Sequence, residues 1–107
     1  MCFREVLCQT NDGEVALSCC GNHYKVSFFH LVMVYDKEDF SGLYRSLHQC
    51  LREVKHCKNK ETKSIIFSTP LNSMRLRFSV SDIEQLHYLI ETAYFETKNF
   101  AFISRQN

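Results

Sequence analysis

The sequence predicts an α+β domain: an antiparallel sheet of about five strands with two helices packed on one face, in the order β-β-β-α-β-β-α. Three observations predict it. Residues 40–54 and 83–94 place apolar side chains at three- and four-residue steps, the period of a helix with one buried face. Short stretches around them alternate apolar and polar residues, as half-buried strands do. With 107 residues, 45% of them hydrophobic and 23% charged, the chain has the length of one domain, 1–107, and the composition of a folded one.

Residues 3–9 read as a short strand. Thr10-Asn11-Asp12-Gly13 follows as a turn in which Asp-Gly supplies the positive φ of a hairpin. Residues 14–19 alternate, with Val15, Leu17 and Cys19 on one face, and Cys20-Gly21-Asn22-His23 makes a second turn. Residues 24–35 form the longest extended segment. Leu31, Met33 and Tyr35 share one side and His30, Val32 and Val34 the other, so the strand is either buried on both sides or meets another subunit. Phe28-Phe29 marks a β-bulge in so long a strand.

Asp36 is a helix N-cap, with Asp39 in the first turn, where a carboxylate favours the dipole. Phe40, Leu43, Leu47, Cys50, Leu51 and Val54 line one face of that helix, which ends where residues 55–63 become polar and basic. Residues 65–69 are a strand and Pro70-Leu71-Asn72 a turn; Met74, Leu76 and Phe78 then alternate with Arg75, Arg77 and Ser79. Ser79 or Ser81 caps a second helix whose buried stripe is Ile83, Leu86, Ile90, Ala93 and Tyr94. Residues 100–103 add an edge strand. At one constant offset, Leu31, Met33 and Tyr35 fall on Met74, Leu76 and Phe78, and Phe40, Leu43, Leu47 and Cys50 on Ile83, Leu86, Ile90 and Ala93. The chain thus reads as a strand-strand-helix unit used twice behind one leading strand.

Asn11-Asp12-Gly13, the turn from Cys19 to Tyr24, the Val26 and Phe28 strand and the Glu38-Asp39-Phe40 helix start are similar to a family of small uncharacterised Bacteroidetes proteins, over roughly the first half of the chain. In that family's pattern, two cysteines two residues apart precede the long strand. Here Cys19 and Cys20 are adjacent, and His23 stands in the place of the second thiol. The resemblance implies no biochemical activity.

A net charge of +1 lacks the basic excess of a general nucleic-acid coat protein, and three glycines leave little material for a phosphate-cradling loop. The five histidines are scattered and no glycine-flanked Ser or Cys marks a strained nucleophile turn, so no catalytic residue is assigned. Arg4 and Glu5 interrupt the N-terminal run where a signal peptide needs an unbroken apolar stretch, and no run is long enough to span a membrane. A cytoplasmic protein with reduced thiols is the expectation.

Four sites follow from this reading. Cys8, Cys20 and His23 hold zinc if the hairpin ends converge. Arg75 and Arg77, with Lys25 and with Phe67 and Phe29 as stacking rings, make a basic sheet face for single-stranded nucleic acid. Cys57, among Lys55, His56 and Lys58, is the thiol most activated by neighbouring cations, whereas Cys50 belongs to the core and His48 and His87 are solvated or packed helix residues. Val32 and Val34, exposed on the sheet face away from the helices, call for cover by a second copy of the chain. The functional expectation is a non-catalytic protein-interaction or regulatory module that self-associates as a homodimer. A nucleic-acid-binding module and a small zinc-binding protein are the alternatives; no cofactor besides zinc and no membrane partner is implied.

Overall fold

The computed structural model describes residues 2–55, 65–68 and 75–106. The basic stretch around Cys57 and the turn at Pro70 lie outside the described residues. The elements are β1 (Phe3–Thr10), β2 (Gly13–Ser18), β3 (His23–Phe28), β4 (Leu31–Asp36), α1 (Lys37–Val54), β5 (Ile65–Ser68), β6 (Arg75–Phe78) and α2 (Val80–Gln106). The class is α+β, as the periodicities require. β1 to β4 form an antiparallel meander in sequence order, and β5 pairs with β6 in a separate antiparallel ribbon. Both helices cover the same face of the meander: α1 lies over β3 and β4, α2 lies over β1 and β2, and the two helices pack against each other.

Three expectations are corrected. The long extended segment is two strands, because Phe28 pairs with Leu31 and the chain reverses at Phe29-His30 instead of bulging. Phe29 takes a φ of 53°, the positive value that a two-residue hairpin loop demands, and its N–H donates to the carbonyl of Asp12 at 2.9 Å. That bond ties the β3–β4 loop to the β1–β2 loop. The single five-stranded sheet becomes four strands plus two. Residues 100–103 continue α2 rather than forming a strand; residues 80–106 contain neither Gly nor Pro to stop the helix.

Gly13 also serves a purpose other than the expected one. Its φ is not positive, and a Cβ built there would collide with the carbonyl oxygen of Ser27 on β3. The glycine allows β2 and β3 to approach, and the turn itself is held by Asp12 N–H donating to Thr10 Oγ1 at 3.2 Å.

The core joins every layer. Val15, Leu17, Tyr24, Val26 and Phe28 from the meander meet Phe40, Leu43 and Leu47 of α1 and Ile83, Leu86, Leu89, Ile90 and Ala93 of α2, all buried. Tyr24 stacks on Phe40 with centroids 3.9 Å apart and planes 8° from parallel. Phe28 meets Phe78 edge-on at 6.0 Å, which fastens the β5–β6 ribbon to the same core.

Each helix starts on a side-chain cap. Asp36 Oδ1 accepts from Asp39 N–H at 2.7 Å, in the open. Ser79 and Asp82 form a buried reciprocal box, with Ser79 Oγ accepting from Asp82 N–H and Asp82 Oδ2 accepting from Ser79 N–H, both at 3.0 Å. Asp36 and Ser79 stand at the same offset as Tyr35 and Phe78 and as Phe40 and Ile83, so β3-β4-α1 and β5-β6-α2 share their caps as well as their buried stripes.

Ser79→Ala is expected to cost about 1–2 kcal/mol in urea unfolding and Asp36→Ala no more than about 1 kcal/mol, because the first removes the acceptor of a buried N–H, that of Asp82, and the second the acceptor of an exposed one, that of Asp39. Equal losses would contradict the buried box. Gly13→Ala should lose about 1–3 kcal/mol through overpacking against Ser27.

Candidate functional site

Strand register decides which side chains share a surface, since residues directly opposite in antiparallel strands project to the same side. Cys8, Val15, Val26 and Met33 form one row, and it faces the helices. Val6, Ala16, Lys25 and Val34 form a row on the other side, followed by Gln9, Glu14, Ser27 and Val32. No described element packs over this second face. Val32 is 65% exposed, Val34 52% and Val6 52%. The face also carries both signs of charge, from Lys25 and Glu14, and the Lys25 ammonium sits 5.5 Å from the centre of the Phe3 ring. Val32 and Val34 thus lie where the alternation placed them.

The basic residues do not assemble in the same way. Arg75 and Arg77 are exposed on β6, where they alternate with the half-buried Leu76 and the buried Phe78, but β6 belongs to the ribbon. Lys25 is on the meander. The expected basic patch is therefore divided between two sheets; of its stacking rings, Phe67 is buried in the core.

The zinc triad is likewise separated. Cys8 projects toward the helices, where it lies beside Thr92 and Glu96 of α2 and burial raises its thiol pKa. His23 belongs to the opposite face, one strand position before Tyr24. Cys20 and His23 do come together in the turn after β2. Gly21 makes that turn with a φ of 76° and an N–H bond to the Ser18 carbonyl. The exposed Cys20 sulfur lies 3.2 Å from Ser18 Oγ, and Ser18 Oγ also accepts from His23 N–H at 3.1 Å. Hydrogen bonds from Ser18, from the Asn22 backbone and from His23 lower the Cys20 pKa to about 7. Next to it, the Cys19 thiol is raised, chiefly because it donates to Cys2. Cys8, Cys19, Cys20 and Cys50 are not in disulfides.

A further cluster occupies the α1–α2 seam. His87 and Glu91 are one turn apart on α2, and His48 faces them from α1, with the two imidazole centroids 5.6 Å apart. One ligand atom from each of His48, His87 and Glu91 lies within 4.8 Å of the others. His87 Nε2 is buried, 3.5 Å from Glu91 Oε2, and has no hydrogen-bond partner among the described residues. Tyr44 frames the group. Its ring faces His87 at 5.9 Å, and its hydroxyl donates to Glu91 Oε2 at 3.2 Å. Burial lowers the His87 pKa, Glu91 opposes the shift and His48 adds to it. The spacing His87-x-x-x-Glu91 was visible in the sequence; the approach of His48 depends on helix packing, which no local pattern encodes.

Compared with known proteins, the chain matches no family model, no curated protein and no solved structure. No described helix is long and apolar enough to cross a membrane.

The Cys20 environment yields a direct expectation. A lowered pKa means that thiolate accumulates as pH rises through about 7, so alkylation by iodoacetamide should follow a midpoint there instead of near the usual thiol value of about 8.5. Cys20→Ser should abolish the fast phase and Ser18→Ala should move its midpoint upward. A fast phase that survives Cys20→Ser would assign the reactivity elsewhere.

Proposed function

We propose that the protein is a small non-catalytic interaction module that self-associates through the open face of its four-stranded sheet. The observation that carries this reading is the alignment of three exposed valines, Val6, Val32 and Val34, on a face that no described element covers. A two-fold contact joins one patch to itself, so the patch has to be self-complementary. Lys25 and Glu14, on adjacent strands of the same face, meet that condition, because Lys25 of one copy can stand opposite Glu14 of the other.

Size sets the strength. A face of four strands, one of eight residues and three of six, has a footprint of roughly 400 Å² at the usual strand spacing and rise. That is about half of the ~800 Å² per partner of a standard stable interface. The dimer is therefore of the transient, concentration-dependent kind. The division of Arg75 and Arg77 from Lys25 leaves the nucleic-acid reading without a continuous groove and favours the interaction module over it.

Sedimentation equilibrium should show a monomer–dimer exchange in the micromolar range. Replacing Val32 and Val34 together by Lys should give a folded monomer, and the double change should cost little stability because both side chains are already in water. A wild-type chain that stays monomeric at about 500 µM, well above the range of weak interfaces, would rule the reading out.

A further inference from the structure

We propose that His48, His87 and Glu91 form a binding site for a divalent transition metal, zinc foremost, that clips α1 to α2. The site is independent of the open sheet face, and it lies apart from the thiols considered above.

Four observations carry it. First, the donor set is two imidazoles and one carboxylate, the set that holds catalytic and regulatory zinc with one position left for water or an incoming ligand. Imidazole donors favour zinc and its first-row neighbours over magnesium or calcium, which prefer all-oxygen shells. Secondly, the three ligand atoms already lie within 4.8 Å of one another. Bonds of 2.0–2.1 Å in a tetrahedron place ligands about 3.3 Å apart, so closure needs no more than about 1.5 Å of movement. His48 is exposed and free to supply it.

Thirdly, His87 Nε2 is buried without a hydrogen-bond partner among the described residues. A buried imidazole nitrogen left this way is unfavourable unless something else satisfies it, and a metal ion does so with a stronger bond than water offers. A simple i,i+4 ion pair between His87 and Glu91 accounts for the 3.5 Å separation but not for the missing hydrogen bond, and it gives no reason for His48 to turn toward the same point. Fourthly, the carboxylate has an outer partner. The Tyr44 hydroxyl donates to Glu91 Oε2, which orients the ligand as metal sites commonly require.

Isothermal titration with zinc chloride, under a non-thiol reductant and in a non-chelating buffer, should give one ion per chain. Cobalt(II) substituted for zinc should show the visible bands of a nitrogen/oxygen site without thiolate charge-transfer absorption. His48→Gln removes an exposed side chain, so the fold should be unchanged by circular dichroism while affinity falls at least tenfold; Tyr44→Phe should weaken binding by a smaller factor. Cys20→Ser should bind as the wild type does. The proposal is overturned if about 100 µM zinc, the upper end of meaningful site affinity, produces no uptake, or if His48→Gln binds unchanged. Loss of binding in Cys20→Ser, or thiolate absorption with cobalt, overturns it equally, by moving the ion to the turn at Cys20.

Discussion

Tyr24, Val26 and Phe28 point inward from β3 at every second residue, and the attachment of α1 and of the β5–β6 ribbon to the sheet is arranged around them. Tyr24 lies flat on Phe40 and so sets the height of α1 above the sheet. Phe28 receives the edge of Phe78 and so attaches the ribbon. Val26, with no exposed surface, fills the middle between Val15 and Met33. A slip of one residue would turn all three to the open face and bring His23, Lys25 and Ser27 into the core, a change the hydrophobic term cannot tolerate. Gly13 belongs to the same constraint, because only a residue without a Cβ lets β2 come close enough to keep that register.

One consequence is a molecule with two unlike sides. Both helices are spent on a single face of the meander, and the other is left to Val6, Lys25, Glu14, Val32 and Val34. Antiparallel sheets accept this arrangement when the second face is polar; here it is mixed. The helices for their part meet along a seam that is polar at one point, where Tyr44, His48, His87 and Glu91 gather. The fold therefore keeps its chemistry-bearing side chains at its boundaries, on the open sheet, in the turn after β2 and between the helices.

Local periodicity revealed much of this and missed the rest for identifiable reasons. Helix α1, its Asp36 cap and its buried stripe follow from three- and four-residue spacing, and the exposure of Val32, Val34, Arg75 and Arg77 follows from alternation. The break at Phe28-Phe29 escaped because two adjacent aromatics carry no turn signal: a phenylalanine at positive φ is uncommon, and the loop it forms is held from outside by Asp12. Cys8, Cys20 and His23 share a site only if the hairpin ends converge, whereas register sends Cys8 to the face opposite His23. His48 and His87 looked like separate helix residues because the distance between them is a property of helix packing. Patterns within one element were legible, as was the packing of both helices on one sheet face; which side chains meet between elements was not.

The two places where strand becomes helix have almost no chain between them. Asp36 is both the last residue of β4 and the cap of α1, and Ser79 alone separates β6 from α2. A loop of several residues would act as a spring and absorb displacement. These joints have no such slack. The direction of β4 therefore sets the direction of α1, and with it the place of His48, three turns along the helix.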